Sequence, residues 1–344
     1  MTISKDACKL PTVSVVMPVR NEENFIDKSL GAILAQDYPH RLLEVIVVDG
    51  MSTDATRRHV TDLAAAHPSI PVTILDNKEK IAPTAMNIGI NGAHGKIIVR
   101  VDGHAIIEAG YIRKCIEVLL SENADCVGGV VDSVGAGYMG EAIALAMGSR
   151  WGVGGSGFRT KKSGTYFKTD TVPFGAFRRA VFEKVGLFNE KMVRHQDYEF
   201  NYRIRKAGMT ILLLPSARAT YFVRSSLISM LKQYWQYGIY KGRFLKTYPE
   251  SLKFRHLVPP LFCLCLVISA VFAAEDALAR NFFLVTAASY AFFLLLAEIT
   301  FLLQGRWKYL PIIPLILSSL HFSWGIGVLF GLFFKPMAPS SQRI

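Results

Sequence analysis

Short apolar, β-branched runs alternate with segments of helical periodicity over the first hundred residues. The runs predict buried strands over residues 13–18, 44–49, 72–76 and 97–101. The segment from Phe25 to Leu34 has the spacing of an amphipathic helix, and a further helix is expected from Pro83 through Gly89. Because strands that alternate with helices are typical of a parallel sheet, we predict an α/β domain with a mainly parallel, doubly wound sheet.

The pattern changes in the last third of the chain. Residues 225–244 combine aromatic and basic side chains at helical spacing, which predicts an amphipathic helix in the membrane interface. Three apolar segments follow, each near the about 20 residues that a membrane span needs: Leu257–Ala274, Phe282–Leu303 and Leu310–Phe334. We therefore expect a catalytic domain over residues 1–224, a basic interfacial segment over 225–256, and a membrane region of about three helices over 257–344.

Charge supports a membrane rather than a nucleic acid as the partner. The chain has a formal net charge of +12, and eleven Lys and Arg against one Glu lie between Arg203 and His256, directly before the first apolar segment. Basic residues in that position favour an anionic membrane surface on the cytoplasmic side. Residues 1–11 contain no apolar core of a signal peptide, and the five cysteines form no Cys-x-x-Cys pair. We expect a cytoplasmic catalytic domain and a C-terminus on the outer side of the membrane.

One strand end carries the sharpest candidate chemistry. The run Ile97–Val101 is followed by Asp102, Gly103 and His104, so a carboxylate and an imidazole stand two residues apart. Ligands of open α/β sheets bind beyond the carboxyl ends of the strands. Asp49 ends a neighbouring strand, where a carboxylate can bind ribose or cap the next helix. The chain has no glycine-rich dinucleotide or P-loop motif, which excludes those two enzyme classes.

A second acidic stretch lies between Arg194 and Arg203. Asp197 stands where a helix is expected to begin, so its carboxylate fits either a general base or a helix N-cap. Glu199 and Arg203 are four residues apart on that helix and are expected to pair with each other.

Several motifs in combination resemble family 2 glycosyltransferases of the GT-A fold, over residues 13 to about 245. They are SVVMPVRNEE, VIVVDGMSTDAT, PTAMNIG and VDGH. The resemblance implies that Asp102 begins the element that binds metal and diphosphate, and that Asp197 is the catalytic base. It also implies a uridine pocket lined by Pro18, Arg20, Glu22 and Asp49, with Lys78 and Asn87 nearby.

His104 departs from the family's usual Asp at the third position of the metal-binding element. Imidazole can bind Mn²⁺, whereas Mg²⁺ prefers oxygen ligands, so Asp102 and His104 leave both cations open as the cofactor.

The apolar C-terminal segments, together with the motifs RVDGHA and YFVRSSL, resemble succinoglycan-biosynthesis glucosyltransferases of the ExoA type. That resemblance implies a membrane-anchored inverting enzyme at the cytoplasmic face of a bacterial inner membrane. It would move a hexose, with glucose as the sugar that the resemblance implies, from a UDP-sugar to a polyprenyl-diphosphate-linked oligosaccharide. A polysaccharide-assembly complex is a candidate partner.

Two alternatives remain open from the sequence. A processive polysaccharide synthase or a glycolipid glycosyltransferase is the first, although Gln236 and Tyr237 stand where processive relatives carry Arg and Trp. The second is a non-catalytic subunit that binds a nucleotide sugar. Glu298 and His321 are ionisable residues within apolar segments, which we expect to contact each other, a lipid diphosphate, or neighbouring helices.

Overall fold

The computed structural model describes residues 10–161 and 163–335. These residues form two compact units: the sheet unit, residues 10–130 and 163–219, and the helical unit, residues 131–161 and 220–335. Residues 131–161 therefore belong with the C-terminal helices, although they lie inside the catalytic domain as the sequence outlined it. The segment inspected for a signal peptide, residues 1–9 with Cys8, lies outside the described residues.

The strands belong to one mixed sheet of nine members in the order β3-β2-β1-β4-β8-β6-β9-β5, with β7 beside β9. They are β1 (Val13–Val19), β2 (Leu43–Asp49), β3 (Val72–Asp76), β4 (Ile97–Arg100), β5 (Ala105–Ile107), β6 (Cys126–Val134), β7 (Phe167–Lys168), β8 (Ala176–Arg178) and β9 (Ile211–Phe222).

The helices also follow in chain order. They are α1 (Ile26–Leu34), α2 (Thr56–Ala66), α3 (Ala82–Gly92), α4 (Tyr111–Ser121), α5 (Gly137–Met147), α6 (Arg150–Val153), α7 (Gly157–Thr160), α8 (Arg179–Val185), α9 (Gln196–Lys206), α10 (Leu227–Thr247), α11 (Phe254–Phe272), α12 (Ala277–Leu303) and α13 (Ile313–Phe333).

The first four strands are parallel, as the sequence pattern predicted. Val13 of β1 pairs with Leu43 on one side and Ile97 on the other, and β3 continues the parallel register beside β2. In contrast, β8 runs antiparallel to both β4 and β6. Between β6 and β8 the chain contributes no helix to the sheet unit, so the crossover that makes neighbouring strands parallel is missing there.

The helical unit has its own apolar core. Buried side chains from α5, α10, α12 and α13 form one cluster that includes Ile143, Met230, Phe301 and Leu320. The predicted amphipathic helix is present as α10, and α11, α12 and α13 are long and apolar enough to cross a membrane.

His321, one of the two ionisable residues of the apolar segments, contacts two neighbouring helices. His321 bonds through Nδ1 to the Tyr290 hydroxyl at 2.9 Å and through Nε2 to the carbonyl oxygen of Trp151 at 2.8 Å. Because a carbonyl only accepts, Nε2 donates and Nδ1 accepts the tyrosine proton. His321 therefore links α12 to α13 and α6, which agrees with the expected alternative of contact with neighbouring helices.

Candidate active site

The carboxyl ends of β1, β2 and β4 meet at one edge of the sheet. Gly50 N donates to Val19 O at 2.8 Å, and Gly103 N donates to Pro18 O at 3.3 Å. The first bond lies one residue past the end of β2 and the second lies three residues past the end of β4, so the loops after all three strands begin side by side. The structure thereby brings together the predicted positions Pro18, Asp49 and Asp102.

Backbone hydrogen bonds fix the loop after β1 to the loop after β2. Glu22 N donates to Thr56 Oγ1 at 2.7 Å, and Glu23 N donates to Asp54 Oδ2 at 3.2 Å. Burial opposes the charge of Asp54, but hydrogen bonds from Thr56 and Glu23 outweigh it and lower the Asp54 pKa. An ionised Asp54 therefore holds the segment that carries Glu22.

Glu22 contacts the imidazole of His104. Glu22 Oε1 lies 2.8 Å from His104 Nδ1, and both side chains are partly exposed. Gly103 makes this approach possible, because a Cβ there would lie 3.0 Å from both Glu22 Cγ and Val19 Cγ1. A histidine that donates Nδ1–H to a carboxylate has the tautomer and orientation in which Nε2 binds metals. The contact thus suits a metal-binding histidine.

The Arg100 side chain contacts both candidate carboxylates, Asp102 and Asp197. Its Nε and Nη2 donate to the two carboxylate oxygens of Asp102 at 2.8 and 3.2 Å. Its Nη1 lies 3.1 Å from Asp197 Oδ1, although the two residues are 97 positions apart in the sequence. The Arg100 side chain is only 5% exposed, against 20% for Asp102 and 33% for Asp197. A buried cation thus lies beneath two carboxylates that reach solvent.

The charge of Arg100 is secured by its two partners. Burial disfavours the guanidinium charge, but attraction to Asp102 and Asp197 outweighs burial, and the Arg100 pKa is raised. The Arg100 guanidinium therefore stays positively charged between the two carboxylates.

Helix α9 presents Asp197 in its first turn. His195 is the N-cap residue in a left-handed conformation with φ 60°, and Asp197 lies two positions further on. The Asp197 carboxylate contacts Arg100, so it does not serve as the helix cap that the sequence left open.

Glu199, in the same turn, has a different role. It is fully buried and accepts two hydrogen bonds from Arg203, at 2.8 and 2.9 Å. Arg203 also donates to the carbonyl oxygens of Val185 and Leu187. The predicted pair is confirmed, and it ties α9 to the preceding segment rather than entering the site.

Two residues predicted to contact the nucleotide, Asp49 and Asn87, form hydrogen bonds within the protein. Asp49 accepts from Ser52 N and Ser52 Oγ and lies 3.4 Å from Arg57 Nη1. The Asn87 amide donates to Phe188 O and accepts from Phe188 N at 2.9 Å, which fixes the segment before α9. Both side chains therefore stabilise the edge that carries the site.

Arg20 and Lys78 are exposed in the loops after β1 and β3, respectively.

Sequence reasoning missed Arg100, the residue that connects the site. Its signal was a charged residue within the apolar run Ile97–Val101, where an unpaired charge would be costly.

The candidate ligand side chains suit a metal ion whose remaining ligands are oxygen atoms of the substrate. Asp102 and His104 supply two side-chain donors, and the described residues contain no group of three or more acidic, histidine or cysteine side chains that could hold a metal. A carboxylate has about four acceptor positions, of which Arg100 occupies two on Asp102. Cations that bind with substrate phosphates need only one or two protein ligands. The residues therefore fit a cation completed by a diphosphate.

Comparison with known proteins identifies the family of the chain. The model of glycosyl transferase family 2 matches residues 14–186, half of the chain. A dolichyl N-acetyl-alpha-D-glucosaminyl phosphate 3-beta-D-2,3-diacetamido-2,3-dideoxy-beta-D-glucuronosyltransferase from Methanococcus voltae is 30% identical over 68% of this chain and 74% of its own. The succinoglycan biosynthesis protein ExoA from Rhizobium meliloti is 26% identical over 94% of this chain and 96% of its own.

A solved structure shares the fold. The mannosyltransferase PcManGT from Pyrobaculum calidifontis, in complex with GDP-Man and Mn²⁺, superposes with a TM-score of 0.60 at 21% identity and covers 94% of this chain and 88% of its own. The predicted GT-A-like fold is thereby confirmed. Because the family model matches half of the chain and a relative 30% identical spans two thirds of it, the chain belongs to glycosyl transferase family 2 and is a glycosyltransferase.

Proposed function

We propose that the chain is a membrane-anchored inverting glycosyltransferase that adds one hexose, with glucose as the expected sugar, to a polyprenyl-diphosphate-linked oligosaccharide in bacterial exopolysaccharide synthesis. The donor is a UDP-sugar. The names of two relatives, one acting on a dolichyl-phosphate-linked sugar and the other in succinoglycan biosynthesis, support this acceptor class. The observation that carries the proposal is Arg100, which connects Asp102 at the strand edge to Asp197 on α9.

The donor binds at the edge formed by the ends of β1, β2 and β4. Pro18, Glu22 and Asp49 lie in or beside the loops at this edge and shape the nucleoside pocket. Arg20 and Lys78, both exposed, add positive charge for the nucleotide.

Asp102 and His104 would hold the divalent cation, Mn²⁺ or Mg²⁺, with Glu22 orienting the imidazole. When bound, such a cation neutralises charge on the departing diphosphate. Arg100 holds the Asp102 carboxylate by two hydrogen bonds, so the ligand keeps one orientation.

Asp197 is the general base. The acceptor hydroxyl oxygen attacks the anomeric carbon, the bond from that carbon to the diphosphate oxygen breaks, and the hydroxyl proton passes to the Asp197 carboxylate. The electron pair of the broken bond leaves with the nucleoside diphosphate. Attack from the face opposite the leaving group inverts the anomeric centre.

The apolar helices attach the enzyme to a bilayer, where a polyprenyl acceptor resides. Their membrane is the bacterial inner membrane, with the sheet unit on its cytoplasmic face. The basic stretch between Arg203 and His256 supports that side, because anionic lipids and the positive-inside rule both favour it.

The Asp197→Asn variant tests the proposal in purified, detergent-solubilised protein. Loss of a general base is expected to lower kcat by about 10²- to 10⁴-fold, while the affinity for UDP stays within about twofold. The measurements are transfer of radiolabel from UDP-glucose to a lipid extract with Mn²⁺, and UDP binding by calorimetry. Glu183→Gln, on the exposed face of α8, is the matched control and should leave both unchanged.

Retained turnover in Asp197→Asn would remove Asp197 as the base. If the wild-type protein binds UDP but transfers no sugar from any of several donors with either metal, it is a binding subunit instead. A product extended by many sugars would identify a processive synthase.

A further inference from the structure

Helices α10 and α13 lie side by side and run in the same direction. A Cβ on Gly238 of α10 would meet Gly327 Cα of α13 at 2.8 Å, and one turn further along both helices a Cβ on Gly242 would meet Gly331 Cα at 2.9 Å. Near the C-terminal end of both helices, Lys246 Nζ donates to Leu332 O at 3.0 Å. The contacts advance together along both chains, so the helices are parallel.

Glycines bring the two backbones into direct contact. A Cβ on Gly238 would lie 2.4 Å from Trp324 O, and one on Gly242 would lie 2.4 Å from Val328 O. Each helix carries a Gly-x-x-x-Gly pair, and small residues at this spacing are the means by which helices pack most closely. The pair therefore moves as one body, and both helices have the same orientation to a membrane.

Helix α10 is too polar to cross a membrane. It carries four cationic residues, Lys232, Lys241, Arg243 and Lys246. Among the described residues, three helices are long and apolar enough to span a membrane, and α10 is not one of them. Each Lys or Arg at the bilayer centre costs about 2.5–3.5 kcal/mol on an insertion scale. Its aromatic residues and exposed Lys232 and Lys246 suit the headgroup region, as the sequence predicted.

Because α13 packs in parallel against α10 along its length, α13 cannot cross the membrane without α10. If α13 spanned the bilayer, the exposed Lys232 of α10 would enter the hydrocarbon with it. The burial of the apolar helices agrees: 39% of the most apolar window of α13 is buried inside the protein, against 6% for α12. Four of the five exposed large apolar side chains of α13 recur at helical spacing on one face, namely Leu315, Ile326, Phe330 and Phe333, and Leu332 lies off that face.

We propose that α10 and α13 lie together along the membrane surface, with the exposed apolar face of α13 toward lipid, and that only the hairpin of α11 and α12 crosses. The lipid surface that this pair fits is anionic, because the exposed Lys232 and Lys246 of α10 lie at the headgroups. Residue Lys335, just after α13, then lies on the same side of the membrane as the sheet unit. A third crossing would place it on the opposite side.

The charges at the ends of the hairpin support two crossings. Lys253 and Arg255 precede or begin α11, and Arg306 and Lys308 follow α12. Glu275 and Asp276 form the turn between the two helices, and Arg280 in the first turn of α12 is the single cation beside them. A hairpin puts these four cations on one side and the acidic turn on the other, which satisfies the positive-inside rule. The inference rests on no donor, acceptor or catalytic residue.

Cysteine labelling in cells tests the topology. Single cysteines replace Lys184 in the sheet unit, Glu275 in the α11–α12 turn, and Lys335, in full-length protein whose native cysteines are changed to serine or alanine. A membrane-impermeant maleimide is added to intact spheroplasts and to broken cells. K184C and K335C are expected to react only after the cells are broken, and E275C is expected to react in both.

Labelling of K335C together with E275C in intact spheroplasts would overturn the proposal, as would identical labelling of all three sites. A second measurement keeps the test independent of the cysteine changes. Alkaline phosphatase fused after residue 344 of the otherwise unaltered chain should be inactive, while a fluorescent protein fused there should fluoresce. An active phosphatase fusion would show three crossings.

Discussion

The sheet unit and the helical unit both contain very close buried contacts, but different chemistry makes them. In the sheet unit, charges meet: Arg100 lies between Asp102 and Asp197, and Arg203 binds the fully buried Glu199. In the helical unit, glycine backbones meet, and Gly238 and Gly242 leave no room for a side chain. One unit depends on pairing buried charges, whereas the other depends on removing side chains.

The difference follows from what each unit has to do. A sugar-transfer site needs carboxylates, and a carboxylate in a partly buried site is stable only with a partner cation. Helices at a membrane gain little from apolar contact with each other, because lipid is equally apolar, so close backbone packing provides their specificity. The comparison predicts that removing a charge in the sheet unit costs more stability when the charge is buried. It also predicts that replacing a glycine by alanine is destabilising where two helix backbones touch.

Arg100→Met is expected to have the largest effect. Breaking a buried ion pair by removing one partner costs about 3–5 kcal/mol, because Asp102 and Asp197 would lose the cation between them. The measurement is urea unfolding of the detergent-solubilised protein, together with kcat, which should fall by more than donor affinity does. Arg113→Met is the matched control, since Arg113 pairs with Asp37 at the surface and should cost about 1 kcal/mol or less. Equal losses in the two variants would show that burial of Arg100 carries no special energy.

Gly242→Ala should have an intermediate effect, and its matched control has the opposite sign. The new methyl group would meet backbone atoms of α13 that cannot move aside, so we expect a loss of about 1–3 kcal/mol. Gly31→Ala, in α1 of the sheet unit, meets nothing within 4 Å and should gain about 0.5–1 kcal/mol from helix propensity. Thermal unfolding of both variants in one detergent checks the pair. A stabilising Gly242→Ala would contradict the close α10–α13 contact.

Glu44→Gln should have the smallest effect, and one that depends on pH. Burial opposes the charge of Glu44, but hydrogen bonds from Ser14 and from His94 N outweigh it and lower the Glu44 pKa. A lowered pKa in the folded state contributes stability above the ordinary value of about 4.3, and that contribution is lost as the pH falls through the folded pKa. Because Glu44 is partly exposed, we expect a few tenths of a kcal/mol at pH 7 and a smaller difference from wild type at pH 3. Unfolding curves at both pH values check it, with exposed Glu79→Gln as control; a constant difference would contradict the assignment.

Much of the fold was predictable from local patterns. The first four strands and the helices between them agree with the structure to within a few residues, because apolar β-branched runs and helical spacing are properties of neighbouring residues. The antiparallel part of the sheet was not predictable in the same way, since no crossover helix of the sheet unit marks the direction of β8.

The site was predictable in its parts and not in their connection. The strand-end position of Asp102 and the helix-start position of Asp197 follow from the sequence, and motif resemblance suggested their roles. The Arg100 contact with Asp197 depends on how 97 residues of chain return to the same sheet edge, which no local pattern records. His104 was predicted as a metal ligand, but its partner Glu22 became visible only when the ends of β1 and β4 were brought together.

By itself, the sequence determined the first four strands and the helices between them, the acidic strand ends and the presence of three long apolar helices, because each depends on residues a few positions apart. Only the tertiary structure decided which charges share Arg100 and which helices share a glycine contact. A hydropathy pattern treats α12 and α13 alike, whereas lateral packing against the cationic α10 distinguishes them. The physical reason is that pairing and membrane orientation depend on neighbours in space, and those neighbours lie from tens to a hundred residues away along the chain.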